Sequence, residues 1–231
     1  MPRPGPLLAS SLALALTALG LTGCDRAPDA DIASFACDPL PGAEALLEAQ
    51  AARLIVVGAA NPLEARAVLL TACAALQKGE RVAALLPDGP DTAEPRATLL
   101  SWAQQGAALS VAALPAVDPT APQASQPALA QAIVSAPQAD RTIALLDADS
   151  AARRPLGLSG HTWAPAGALL PEDRAVTLRV IEAPGGEARL SFAPFEDVPD
   201  QGASRAYDGL ITLPAPAAPA QTPAPEALRG R

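Results

Sequence analysis

Short unbroken apolar runs alternate along this chain with stretches in which apolar side chains recur every three or four positions. Leu54 to Val57, closed by Gly58, is the first such run, and a β-branched run bounded by glycine predicts a central strand covered on both faces. Ahead of it "AEALLEAQA" has helical spacing, and after it Leu63 to Gln77 does the same, ending at Lys78-Gly79 as a basic last turn and a cap glycine. Arg81 to Leu86 predicts a second strand. Asp91 or Thr92 then opens a helix that runs through Trp102 and stops at Gly106. "LSVAAL" is a third strand, "PALAQAIVSA" a helix and "TIALLDA" a fourth strand. Strand and helix in alternation predict an α/β fold, a mostly parallel central sheet flanked by helices. "AVTLRVIEA" and "EARLSFAPF", joined at Pro184-Gly185-Gly186, predict a C-terminal β-hairpin, and "GLITLP" a final edge strand.

Proline divides this pattern. Residues 115–127, "PAVDPTAPQASQP", have no packed apolar face and predict a surface loop. Residues 214–231 carry repeated Pro and Ala and predict an extended, disordered tail. The α/β domain is thereby expected at 42–213, behind an acidic spacer at 24–41. Only 3% of the residues are aromatic, so the core has to be built from Leu, Val, Ile and Ala.

The first residues bear on location. Arg3 precedes "LLASSLALALTALGL", an apolar stretch too short for a comfortable span, and Leu21-Thr22-Gly23-Cys24 follows. This predicts a cleaved export signal over 1–23. Leu-Thr-Gly-Cys resembles a bacterial lipobox, which implies that Cys24 is acylated and becomes the new amino terminus. Several acyl chains at about 0.8 kcal/mol per buried methylene hold a protein on a membrane durably. The expected location is the cell envelope, lipid-anchored and facing the periplasm. Asp25 resembles an inner-membrane retention signal of enterobacterial lipoproteins, a rule that other bacteria need not obey, so the choice of membrane stays open.

Loss of Arg3 with the signal leaves 15 basic against 24 acidic residues, a balance that disfavours nucleic acid as a partner. Cys37 and Cys73 remain as an even pair, either bridged in an oxidising compartment or as two separate buried thiols. Neither has a partner at Cys-x-x-Cys spacing, which disfavours zinc.

The segment from Arg53 to Leu86, "TIALLDADSAARRPLG" and "YDGLITLPAPAAPA" resemble, in that order, parts of a superfamily that joins ChaN-like haem-binding lipoproteins, TraB-type proteins and erythromycin-esterase-like hydrolases. In that superfamily the first strand ends in Gly-Glu-x-His-Gly-Thr and a late strand in Gly-Asn-x-His-Ala. Gly58 and Cys73 occupy matching places, but Ala59 stands for the glutamate, Asn61 for the first histidine and Ser150 for the second. The resemblance thus implies an inherited frame from which the groups that titrate near neutral pH are gone. A haem role meets a further obstacle, since His161, Tyr207, Cys37 and Cys73 are the only axial-ligand types left after cleavage.

Other residues offer replacement chemistry, each with a plainer alternative. Asp147 and Asp149, read as alternating on one side of a strand end, could hold a divalent cation with Glu64, or one could cap a helix and the other face water. His161, in "LGLSGHTWAP", reads as a loop residue beside Trp163, with no strand leading into it. Arg153 and Arg154 could bind an anion or form a solvated face. Gly58 before a helix start could present backbone amides to an anion, less one donor at Pro62. Two functions follow. The first is a non-catalytic, membrane-anchored domain that binds a partner or small ligand through the old cleft. The second is an enzyme with a rebuilt hydrolytic site, metal-assisted or not, around Asp147, Asp149 and Glu64.

Overall fold

A computed structural model describes residues 36–48, 52–136, 139–154, 156–158, 161–183, 187–192 and 206–215. The expected signal at 1–23, Cys24, most of the expected spacer, the 184–186 joint and residues 216–231 lie outside these. The described residues belong to one compact unit spanning Ile32–Arg231.

Seven strands form one sheet: β1 (Leu54–Ala59), β2 (Val82–Leu86), β3 (Leu109–Ala113), β4 (Arg141–Asp147), β7 (Ala175–Ala183), β8 (Arg189–Phe192) and β9 (Gly209–Pro214), in the order β3-β2-β4-β1-β7-β9-β8. All are parallel except β8. A separate two-stranded ribbon pairs β5 (Leu156–Leu158) with β6 (His161–Trp163). The helices are α1 (Ala43–Glu48), α2 (Ala67–Gln77), α3 (Ala93–Gln104), α4 (Pro122–Val134) and the single turn α5 (Ala148–Ala151).

The central strands read as continuous apolar runs because both faces are covered. Ile55, Val57, Ala84, Ile143 and Leu178 pack with α1, α2 and α3, whereas Val56, Leu85, Ala144 and Leu146 pack with α4, α5 and the 3-10 turn Ala166–Leu169. This split follows from right-handed crossovers. The chain moves outward from β1 through β2 to β3 with helices on one face, then returns through α4 to β4 on the other. The α/β architecture expected from the sequence is therefore the one observed.

Three local readings change. Residues 115–127 are not all loop, since α4 begins at Pro122; proline is acceptable in a first helical turn because the amide it lacks has no helical partner there. Pro127 is tolerated inside the helix, and its neighbour Gln126 is fully buried. The antiparallel partner of β8 is β9 and not β7; β9 lies between them. The sequence explains this exchange, because "GLITLP" is buried at four of its first five positions and suits an interior place, while β8 buries Leu190 and exposes Arg189, the pattern of an edge. "LGLSGHTWAP" contains the β5-β6 ribbon, so His161 lies on a strand and not in a loop, and strand β5 precedes it.

Two covalent or ionic ties close the domain. Cys37 and Cys73 form a disulfide with Cα atoms 5.9 Å apart and a sequence separation of 36 residues. Closing a loop of that length restrains the unfolded chain by about 3 to 4 kcal/mol in the chain-entropy picture. At the amino end of the sheet, Arg141 holds Glu80 through two bonds of 2.7 and 2.9 Å, and its remaining donors reach the carbonyls of Leu47, at 2.9 Å, and Ala52. Its side chain is 7% exposed.

Candidate functional site

In parallel sheets ligands gather at the carboxyl ends of strands, where consecutive connections leave toward opposite faces. Here that point lies between β1, whose chain continues to α2, and β4, whose chain continues to α5. Ala59 is level with Asp147 across it. A cavity of about 180 Å³ sits there, lined by Ala59, Asn61, Pro87, Thr92, Leu145 and Asp147 among others. That is below the size usual for a small-molecule site, roughly 300 to 1,000 Å³.

The polar groups around it are occupied with one another. Asn61 accepts a bond from the Glu64 amide at 2.9 Å, and Glu64 accepts one from the Ala60 amide at 2.6 Å. This is a reciprocal capping arrangement, in which side chains satisfy amides that a helix start leaves without helical partners. Asn61 also donates to Glu182 at 3.2 Å. Glu64 is buried, and its charge is met by Arg179 of β7 at 3.1 Å; the same guanidinium donates to the Gly58 carbonyl at 3.3 Å. Arg179 therefore ties the end of β1 to the start of the following helical turn. Gly58 itself is required by close packing, because a Cβ there would lie 2.7 Å from the Ala151 Cβ.

Across the crevice, Asp147 caps α5 by accepting from the Ser150 amide at 2.9 Å. Ser150 is buried and receives a bond from Gln126 at 3.0 Å, and Gln126 also accepts from the Ala166 amide at 2.9 Å. Ala59, Asn61 and Ser150 thus contribute a methyl group, a helix cap and a buried structural hydroxyl. Comparison with protein-family models, curated proteins and solved structures yields no match.

The expected metal set is not assembled. β4 ends at Asp147 and Asp149 lies in the helical turn, so the two do not share a strand side. Asp149 is exposed, Asp147 is a cap and Glu64 is paired. Among the described residues no three His, Cys, Asp or Glu side chains converge as metal ligands. The paired-arginine site is not assembled either, because Arg153 is turned inward toward the carbonyls of Gly167 and Ala175, at 3.3 and 3.4 Å, while Arg154 is exposed. Both line a polar hollow whose other walls include Glu172 and Asp208, which oppose an anion. His161 lies on β6 opposite Leu158; its side chain is outside the described residues. Of the other residue types weighed for haem, Cys37 and Cys73 are bonded to each other and the Tyr207 hydroxyl donates to the Ala148 carbonyl.

Arg179 and Gln126 went unassigned as site partners in the sequence, and Tyr207 was weighed only as a haem-ligand type. A signal existed for the first: a lone arginine inside an apolar strand run needs a buried acid, and Asn61-Pro62-Leu63-Glu64 carries the spacing of a capping box. Burial pushes the Tyr207 phenol up to about 12, with nearby carboxylates adding to the shift and Arg179 opposing it. Because it is the chain's single tyrosine, tyrosinate absorbance reports it alone. Native protein is expected to titrate near pH 12 and unfolded protein near 10. The neutral phenol is the form the fold favours, so stability is present below pH 10 and declines between 10 and 12. Tyr207→Phe should remove that alkaline decline; its persistence would assign the decline to another group.

Proposed function

We propose that this chain is a lipid-anchored envelope protein facing the periplasm, and that its α/β domain binds a partner or small ligand without doing chemistry of its own. The observation that carries the reading is the closed set of bonds among Asn61, Glu64, Arg179 and the β1 end. A general acid or base has to offer a proton-transferring atom toward a reacting group. Here the candidate atoms face backbone amides, carbonyls and an arginine. The resemblance to the ChaN-like and erythromycin-esterase-like superfamily belongs to the same proposal. It is supported by the way Ala59, Asn61 and Ser150 gather at one end of the sheet. The disulfide suits the proposed oxidising compartment.

A binding role for anything larger than the 180 Å³ crevice needs another surface. An open groove of about 510 Å³ lies on the other side of the Asn61 turn, between the start of α2 and the ends of β7 and β9, and its lining is mainly apolar. Its size falls within the range of ligand sites.

Two measurements test the proposal. Ester and lactone substrates are expected to turn over no faster than in buffer, and Asn61→Ala to cost about 1 kcal/mol of stability, the worth of a cap, with no change in turnover. Hydrolysis that falls in Glu64→Gln or Asp147→Ala while the fold persists would restore the enzymatic reading. For the anchor, labelled palmitate should be incorporated by the native chain and not by Cys24→Ser; labelling retained in that variant removes Cys24 from the role.

A further inference from the structure

The two margins of the sheet are finished differently. At one, β8 is antiparallel to its neighbour, covers only four residues and turns Arg189 out to solvent. At the other, β3 runs Leu109-Ser110-Val111-Ala112-Ala113, with no charged residue, no proline and an unbroken register against β2. Charges, prolines and bulges are the usual means by which a sheet edge is kept from pairing with another chain, and β3 has none of them.

The direction of each backbone group on β3 follows from its bonds to β2. The Val82 amide donates to the Ala108 carbonyl at 2.8 Å and the Leu114 amide to the Leu86 carbonyl at 2.9 Å. Even-numbered residues from Ala108 to Leu114 therefore face β2, and Leu109, Val111 and Ala113 turn their amides and carbonyls outward. Among the described residues no strand lies beyond them. We infer that β3 pairs with β3 of a second copy of this chain, antiparallel about a two-fold axis at Val111, so that the two sheets become one.

The outward groups are self-complementary in that arrangement. Val111 exchanges both of its bonds with the same residue of the other copy, and each Ala113 amide meets the other copy's Leu109 carbonyl. The Leu109 amide stays out of the ladder, because it already donates to the Ala107 carbonyl at 2.7 Å. Side chains directly across are then Val111 on Val111 and Leu109 on Ala113, apolar pairs of the kind that strengthen an antiparallel ladder. Leu109 and Val111 already rest against the core on the side of α2 and α3, so pairing extends an existing apolar layer. Charge favours the same occupant. No Asp, Glu, Lys or Arg occurs from Ala97 to Val117, in a chain whose net charge is −8. A second copy can therefore meet this edge without setting like charges against each other in the ladder. The contact is also closed, since it uses the β3 edge of both copies and association stops at two.

Amide hydrogen exchange in the full chain, purified in detergent, reads the pairing directly. The Ser110 and Ala112 amides face β2 and should be protected at any protein concentration. Those of Val111 and Ala113 should exchange quickly in dilute protein and about ten-fold more slowly once it is concentrated. Ala113→Lys places a charge at an exposed position of the ladder and is expected to abolish that gain and to leave a monomer in sedimentation. Val111→Pro should do the same, because it deletes an outward amide and no bond to β2. Val134→Lys, on the exposed face of α4, should change neither reading. A chain that stays monomeric, protection at Val111 and Ala113 that does not depend on concentration, or a dimer that survives Ala113→Lys would each overturn the inference. Ala113→Lys keeps the test readable if Val111→Pro disturbs the fold. None of these readouts depends on ester turnover or on the state of Cys24.

Discussion

Arg141→Ala is expected to destabilise the domain by about 3 to 5 kcal/mol, the usual cost of removing one partner from a buried ion pair. The arginine faces Glu80 with its fork and spends its other donors on the carbonyls of Leu47 and Ala52. Its removal therefore strands an acid that is 21% exposed together with two carbonyls that converge at the amino edge of the sheet. For a domain of this size each kcal/mol is worth roughly 2 to 4 °C, so the melting temperature should fall by about 10 °C. Arg141→Lys keeps the charge and loses the planar fork, and its loss should be intermediate. Arg141→Met with Glu80→Gln should recover part of the deficit, because the uncompensated charge is then gone. A change below about 1 kcal/mol in Arg141→Ala would mean that the pair behaves as a solvated surface bridge.

Gly167→Ala is expected to be the other severe variant. A Cβ at that position would sit 2.2 Å from the Ala151 carbonyl oxygen and 2.6 Å from that of Ala152. Backbone cannot rotate away as a side chain can, so the loss should exceed the roughly 1 to 3 kcal/mol typical of an overfilled core. Gly58→Ala presses on the same turn from the sheet side but meets the Ala151 methyl, at 2.7 Å. The two glycines consequently differ in how they can be rescued. Adding Ala151→Gly should relieve Gly58→Ala, after allowing for about 1 kcal/mol that the second glycine costs by itself, and should not relieve Gly167→Ala. Chemical denaturation of the four variants checks this. Equal rescue of both glycines would mean that α5 shifts as a body.

The fold could be read from the chain to the extent that burial on both faces leaves a mark in one dimension. β1, β2 and β4 are bounded apolar runs, and Gly79 and Gly106, with φ of 78° and 95°, end the two helices expected to stop there. What escaped were choices between partners. β8 and β9 each carry adequate strand signals, and which of them lies beside β7 depends on how much apolar surface the interior place demands. Proline misled at 115–127 because its local preference for breaks is shared with its acceptance in a first helical turn. At the candidate site the individual residues were visible and their engagements were not. Glu64 looked available for a metal until Arg179, 115 residues later, was brought against it. Asp147, by contrast, was open to being a cap, and caps α5.

The bridge between Cys37 and Cys73 has a mechanical consequence. A pull on the chain ahead of Cys37, as a membrane anchor would exert, passes through the sulfur atoms directly into the middle of α2. The stretch from Asp38 to Ala72, which contains α1, β1 and the Asn61 turn, lies inside the covalent loop and carries none of that load. Force that would otherwise peel α1 from α2 and then draw out the central strand is delivered instead to a helix packed over the middle of the sheet. In the oxidised chain, extension should stop short by the length of that loop; a reducing agent would return it to the fully unravelled contour.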